Sequence, residues 1–389
     1  MPADLIVSAV VTVFAGAAVL AALALFARQS LLVAYIILGG LMGPWGFGVI
    51  NHPATIQQIG HIGIIFLLFL LGLNLHPQKL LHMLREATVV TLASSVGFMA
   101  LGVGVGQLFG FTLQESVVIG AAVMFSSTII GLKLLPTIEL HHQHVGEIII
   151  SILLLQDIIA IVVLLLLEGA AQAQTGWSHI LLLAVSVPGL VAFALLFERY
   201  VLIRVLRRFD TIQEFIFLAA IGWCLGLAQL GTLLGLSYEI GAFIAGVALA
   251  YNPISMFIAE SLKPLRDFFL IMFFFSLGAG FALPMLPSVI LPAGVLALLM
   301  LAAKPALFRL LLTGSGEASR LSWEIGVRLG QISEFSLLIA VLASQSGVVN
   351  ERTSYTIQAA TLITFIVSSY VIMLRYPTPI AVSDRLRKD

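Results

Sequence analysis

Apolar runs follow one another along nearly the whole chain, separated by short polar stretches, and the lengths of those runs are its first informative feature. A helix crossing the hydrocarbon core of a bilayer needs roughly 20 mainly apolar residues. On that rule the pattern predicts thirteen spans, near 5–26, 31–49, 56–74, 84–109, 115–136, 145–168, 177–206, 212–232, 235–251, 265–284, 286–313, 322–346 and 354–375. The second and ninth are short, and the division between the tenth and eleventh rests on Pro284, Pro287 and Pro292. The first run starts near Leu5 with no basic flank before it, so it reads as a retained helix rather than a cleaved leader.

An odd number of spans fits two six-helix halves joined by a linker. Tyr35-Ile36-Ile37-Leu38-Gly39 resembles Ala242-Phe243-Ile244-Ala245-Gly246, and Phe69-Leu70-Leu71-Gly72 resembles Phe275-Ser276-Leu277-Gly278, at an offset of 206 to 207 residues. Spans one to six then match spans eight to thirteen. Seven helices separate equivalents, so the halves have opposite orientation, the inverted repeat of many secondary transporters. The expected organisation is a first repeat over about 5–168, a linker helix over about 177–206, a second repeat over about 212–375 and a tail at 376–389.

The repeat also locates interruptions. Span five contains Phe125-Ser126-Ser127-Thr128-Ile129-Ile130-Gly131, and its equivalent in span twelve contains Gly330-Gln331-Ile332-Ser333-Glu334-Phe335-Ser336. Polar clusters at matched mid-span positions point to paired helices that unwind near the midplane and turn backbone carbonyls towards an ion. Isolated serines could instead bond back to their own helix, which would not account for Glu334. Asp157 lies mid-span in the sixth segment, where a carboxylate costs roughly 2.5–3.5 kcal/mol on insertion scales. Such a residue is expected to face a cavity, bind a cation or carry a proton. The position equivalent to Asp157 is Thr364, so the acidic site is not duplicated.

Composition agrees with a membrane protein. Hydrophobic residues make up 60% of the chain, charged residues 10%, and mean hydropathy is +1.11, against about 25% charged residues in a soluble domain. Zero net charge argues against a nucleic-acid partner. The single cysteine, Cys224, excludes an internal disulfide framework and a multi-cysteine metal site. No residue set resembles a hydrolytic or redox centre, so neither enzymatic activity nor a cofactor is expected. Seventeen of the nineteen Lys and Arg residues fall on one side of the thirteen-span arrangement, Arg352 falls on the other, and Lys304 lies inside a span. Positive flanks stay cytoplasmic, which places the N-terminus outside and the C-terminus inside a bacterial-type inner membrane.

Several motifs taken together carry a family resemblance over nearly the whole chain. They are Gly39-Gly40-Leu41-Met42-Gly43-Pro44-Trp45-Gly46, Phe69-Leu70-Leu71-Gly72-Leu73-Asn74-Leu75, Phe125-Ser126-Ser127-Thr128, Leu155-Gln156-Asp157-Ile158-Ile159-Ala160, Gly241-Ala242-Phe243-Ile244-Ala245-Gly246 and Glu334-Phe335. In this order the chain resembles the membrane domain of Kef-type potassium/proton antiporters, in the second family of monovalent cation:proton antiporters. The resemblance implies an all-α, sodium/proton-antiporter-like fold with crossed broken helices, a homodimer, and a core domain beside a dimerisation domain. Asp157 matches the family's ion-binding aspartate. Gln156, standing where electrogenic relatives carry a second aspartate, implies one-for-one exchange of potassium. Lys304, in Ala302-Ala303-Lys304-Pro305, matches a core lysine that pairs with the aspartate. The chain departs from the family in carrying Asn74 and His76 where acids are common. It also shows no GxGxxG segment of the nucleotide-binding regulator, so either that regulator has been removed or the protein lacks it, with a separate regulatory domain or subunit as one alternative.

The expected mechanism needs one carboxylate and two competing ligands. Protonated Asp157 is neutral; deprotonated, it is an acceptor for K⁺ or Na⁺. The expected oxygen donors are Asp157, the amide of Gln156, the hydroxyls of Ser126, Ser127 and Thr128, and freed carbonyls, with Ser333 and Asn74 as outer candidates. Lys304 has two readings, as counter-charge to Asp157 or as partner of Glu334. Glu334 would neutralise a half-helix end. His61 is read as packing or lining a cytoplasmic funnel, and His141, His142 and His144 as a solvated cluster. Gly231, Gly235, Gly241 and Gly246 are read as close helix packing, with a dimer face as one setting. Competing functions are Na⁺/H⁺ antiport, a gated potassium channel, a membrane sensor reusing the fold, and a sodium/organic-anion symporter.

Overall fold

The structure is a computed structural model that describes residues 3–27, 29, 31–50, 53–74, 77–133, 144–172, 177–209 and 212–378. Its regular elements are helices: α1 (Ala3–Phe26), α2 (Leu31–Met42), α3 (Pro53–Asn74), α4 (Pro77–Leu108), α5 (Leu113–Val123), α6 (Thr128–Lys133), α7 (His144–Gln172), α8 (Trp177–Phe197), α9 (Ile203–Arg208), α10 (Gln213–Leu233), α11 (Tyr238–Leu249), α12 (Ile254–Gly280), α13 (Leu286–Gly314), α14 (Ser319–Arg328), α15 (Glu334–Gln345) and α16 (Glu351–Arg375). A π-helical turn, Glu198–Leu202, joins α8 to α9. Among the described residues, six helical stretches are long and apolar enough to cross a bilayer by length and composition, and α2, Gln58–Leu73 of α3, α5, α11 and α15 are shorter apolar stretches.

Each of the thirteen apolar runs meets a helix or a pair of half-helices. The fifth run is divided into α5 and α6 and the twelfth into α14 and α15. The differences lie at helix ends. Hydropathy marks where a helix meets lipid, and the helix itself runs on into polar sequence. Thus α12 begins at Ile254, before the expected 265, and winds through Glu260, Lys263 and Pro264. Glu260 and Lys263 pair at 2.5 Å across one turn of it. Of the three prolines expected to divide spans ten and eleven, Pro284 lies in a 3₁₀ turn and Pro287 in the first turn of α13. Pro292 lies inside α13 and ends nothing.

The halves are visible in the register of the elements. Leu31 and Tyr238, which open α2 and α11, stand 207 residues apart, as do His144 and Glu351, which open α7 and α16. Two compact units result: residues 1–17, 35–81 and 168–280 in one, and residues 18–34, 82–167 and 281–389 in the other. Each unit therefore draws equivalent helices from both halves.

In the first unit α3 packs against α11 and α12, and α10 against α11. Its contacts reproduce the repeat. A methyl group added at Gly39 would strike the carbonyl of Phe275, and one at Gly278 the carbonyl of Ile36. Likewise Gly72 is closed off by Phe243 and Gly246 by Phe69. Gly39 is the repeat mate of Gly246, and Gly278 of Gly72, so the contact of α2 with α12 is the symmetry image of the contact of α11 with α3. Small residues allow such close backbone approach between membrane helices. Gly246 is thus used within the chain, as is Gly241, which meets Leu227 and Ala228 of α10. His61 lies 2.8 Å from the buried Glu239 at the start of α11. The His61 side chain itself is 35% exposed, so it pairs with a buried acid while keeping part of its ring open.

In the second unit α13 packs against α14 and α16, α15 against α16, and α5 against both α15 and α16. A capping box of Thr112 and Glu115 opens α5. Phe98 on α4 packs edge-on against Phe308 of α13, with ring centroids 5.4 Å apart. Both interrupted runs, with their site residues, belong to this unit.

Candidate functional site

The first interruption is Met124-Phe125-Ser126-Ser127, between α5 and α6. It contains neither proline nor glycine. What keeps it open is a set of partners that replace the lost helical bonds. The backbone N–H of Ser126 donates to Gln156 Oε1 at 2.9 Å. The Gln156 amide in turn donates to the Met124 carbonyl at 3.4 Å. Ser127 Oγ accepts the N–H of Ile130 at 3.1 Å and so caps α6.

The second interruption, Leu329-Gly330-Gln331-Ile332-Ser333, separates α14 from α15. Ser126 Oγ donates to the Leu329 carbonyl at 2.8 Å, and Gln331 Nε2 donates to the Ser127 carbonyl at 3.3 Å. The Ile332 N–H donates to Thr364 Oγ1 at 3.0 Å, and Ser368 Oγ to Gln331 Oε1 at 3.0 Å. Ser333 accepts the N–H of Phe335 at 3.1 Å and caps α15. Ser336 donates to the Ala122 carbonyl. The two breaks are thereby stitched to each other and to α16. Inside a bilayer every backbone polar group needs a protein partner, and these side chains are those partners.

Lys304, on α13, is fully buried. Its ammonium donates to the Phe125 carbonyl at 2.5 Å and the Gln331 carbonyl at 3.0 Å, with Ser126 Oγ at 3.4 Å. The ring of Phe98 lies beneath it at 5.2 Å. The bonds that the structure gives Lys304 run to the freed carbonyls of both breaks. A single cation thus answers the partial negative charge of two interrupted helices.

Asp157, on α7, is 3% exposed, and Thr128 Oγ1 donates to its Oδ1 at 3.4 Å. Thr128 is the first residue of α6, so the carboxylate stands where the backbone resumes its helical course. Glu334 opens α15, is 5% exposed, and lies within electrostatic reach of Asp157. An acid at a helix start complements the unpaired N–H groups there.

The predicted residues therefore divide by what they touch. Asp157 and Thr128 meet each other. Gln156, Ser126 and Ser127 sit beside them, and the bonds they make hold the breaks. Ser333 caps α15. The side chain of Asn74, at the end of α3, lies outside the described residues, as do His76, His141 and His142. His144 opens α7 and lies 2.8 Å from Glu317 and 3.8 Å from Glu147.

Residues to which the sequence reading gave no role of their own are Gln331, Thr364 and Ser368. For Thr364 and Ser368 a signal existed. Ser354, Gln358, Thr361, Thr364 and Ser368 recur every three or four positions along α16, and all are buried. One face of a membrane helix carrying five buried polar side chains faces partners inside the protein. Two of the five reach the second break.

Chemically, the arrangement offers one carboxylate with an adjacent hydroxyl, in a buried setting whose backbone is fixed by surrounding amides and one ammonium. An ionised carboxylate only accepts, and hard cations take oxygen ligands. No group of three His, Cys, Asp or Glu side chains able to hold a metal ion occurs among the described residues.

Comparison with known proteins gives three findings. The sequence model of a family described as sodium/hydrogen exchanger, transmembrane, matches residues 10–374. The iron transporter MagA of Paramagnetospirillum magneticum is 27% identical over 352 residues, covering 88% of this chain and 79% of that protein. The sodium proton antiporter MjNhaP1 from Methanocaldococcus jannaschii, solved at pH 8, superposes with a TM-score of 0.68 at 16% identity, over 94% of this chain and 95% of that one. The fold is the one seen in that antiporter.

Proposed function

Because the chain belongs to the sodium/hydrogen exchanger family, we propose that it is a secondary antiporter that exchanges potassium for protons by alternating access, with Asp157 binding each in turn. The observation that carries this reading is the buried carboxylate of Asp157 beside Thr128, at the point where an interrupted helix resumes. Proton and alkali cation compete for one group. Loading either expels the other, and that competition couples the two fluxes. Thr128 supplies a hydroxyl oxygen next to the carboxylate. Gln156 holds the break without adding a second negative charge beside Asp157, which supports one cation per proton.

Potassium rests on the resemblance to Kef-type proteins in the motifs around Gly39, Gly72, Gln156 and Gly246; sodium is the alternative cation for the same chemistry. The iron named for the MagA relative fits the site less well, since divalent iron favours several His or carboxylate ligands and no cluster of three such side chains occurs among the described residues. The working form we propose is a homodimer in an inner membrane, with the N-terminus outside and the C-terminus in the cytoplasm.

The test is reconstitution into proteoliposomes under an imposed pH gradient. Potassium uptake should collapse the gradient in the native protein and fail in Asp157→Asn. Equal uptake in the two would end the proposal. Sodium in place of potassium decides the cation, and an imposed voltage decides electroneutrality.

A further inference from the structure

We propose that Arg328 is a positioning residue for the ion site, fixing the second break by clamping it to the chain that leaves the last helix. Arg328 ends α14, immediately before the break at Leu329. Among the described residues it is the largest fully buried side chain, at 1% exposure. Its guanidinium donates to Glu324 Oε1 from Nε at 3.1 Å and from Nη2 at 2.9 Å. Nη2 also donates to the Pro377 carbonyl at 3.1 Å, and the Tyr376 ring centroid lies 5.4 Å from the guanidinium carbon. Thr378 is buried as well.

The residues that follow Arg328 are the ones the site depends on. Leu329 accepts from Ser126, the Gln331 carbonyl accepts from Lys304, and the Gln331 amide donates to Ser127. One peptide unit therefore separates the backbone of the clamped Arg328 from the first bond that shapes the site. The other anchors of the break named above, Ser126, Ser127, Lys304, Thr364 and Ser368, come from inside the helical bundle. Arg328 reaches beyond α16, to Tyr376 and Pro377.

A buried arginine paired with a glutamate is poor evidence for stability, because an apolar side chain of similar size often serves better. What an arginine adds is five donors in a fixed fork, able to join three groups at once. Here its partners include its own half-helix, the exit carbonyl and the exit ring. A shift of the segment 376–378 would accordingly be passed to the break. This inference rests on Asp157 and Thr128 being the ion site.

The test uses the full chain and compares the native protein with Arg328→Gln, Arg328→Lys, Tyr376→Ala and the Arg328→Gln/Tyr376→Ala pair. Two quantities are read: amide hydrogen exchange across residues 329–333, and the cation KM and maximal rate in proteoliposomes. Arg328→Gln and Tyr376→Ala should each speed amide exchange over 329–333. Each should also raise the cation KM by about two- to thirty-fold, the range found for mutations that act through a coupled element, with a smaller change in maximal rate. The double variant should fall short of the product of the two effects, as residues in one contact network do. Arg328→Lys, which keeps the charge and loses the fork, should lie between. Tyr376 follows the last helix, so its truncation spares the bundle even where Arg328→Gln lowers the yield of folded protein. The proposal is overturned if Tyr376→Ala leaves both readouts at native values, or if the two effects simply multiply. If Asp157→Asn transports normally, the ion-site reading falls and takes the KM arm with it, while amide exchange over 329–333 still decides whether the clamp exists.

Discussion

The side-chain carbonyl of Gln156 accepts the backbone N–H of Ser126 at 2.9 Å. The residue before Asp157 thus acts on the peptide backbone of a neighbouring broken helix. Gln156 is fully buried, and its amide also reaches Met124, so it spans the break from both sides.

From that relationship, Gln156→Leu should leave buried backbone groups unpaired at a cost of about 1–3 kcal/mol each. It should lower the thermal midpoint in detergent together with exchange activity. Gln156→Glu keeps an acceptor for Ser126 and should retain more of the fold, while altering the voltage dependence of exchange. Native stability in Gln156→Leu would show that the break is held by other means.

Thr128→Ala removes one hydroxyl beside Asp157. A hydrogen bond to a charged group contributes about 1.5–3 kcal/mol, so the cation KM should rise roughly ten- to hundredfold. Thr128→Ser should recover most of the loss. Initial rates against potassium concentration in proteoliposomes measure both.

Lys304→Met keeps the volume of the stem and removes the donor. The carbonyls of Phe125 and Gln331 would then lack their shared partner, and thermal stability should fall at every pH tested. If Lys304 acted only as counter-charge to Asp157, the substitution would shift the pH profile of exchange and leave the melting temperature in place. A thermal melt followed across pH separates these outcomes.

Exchange itself should show a bell-shaped dependence on symmetric pH. At low pH protons hold Asp157 against the cation, and at high pH too little of the protonated form remains to complete the cycle. Raising the potassium concentration should move the acidic limb to lower pH. A limb indifferent to potassium would argue against competition at a shared carboxylate.

The packing of the first unit gives an independent test. Gly39→Ala and Gly278→Ala place a methyl against a backbone carbonyl, and overpacking of this kind costs about 1–3 kcal/mol or more. Gly222→Ala and Gly294→Ala, whose added methyl would meet nothing within 4 Å, should be neutral or slightly stabilising in their helices. Melting temperatures of the four variants provide the comparison.

Much of this protein was legible along the chain. Membrane insertion fixes spans by length and apolarity alone, so the helices and the 207-residue register between halves could be read from the order of residues. Asp157 stood out because a carboxylate in an apolar run is costly, and the two breaks stood out because polar clusters recurred at matched positions. Helix ends were less legible, since polar sequence such as Glu260 to Lys263 can be helical beyond the lipid boundary. What only the tertiary structure decided is partnership. Gln156 and Ser126 look like ion ligands in one dimension, and Lys304 like a counter-charge to a carboxylate, because their polar atoms have no evident claim on them. In three dimensions, unwound backbone at membrane depth has no water to turn to and takes those atoms for itself. Asp157 and Thr128 remain together, and that division of donors and acceptors depends on distances between residues as far apart as Ser126 and Leu329, which no local pattern records.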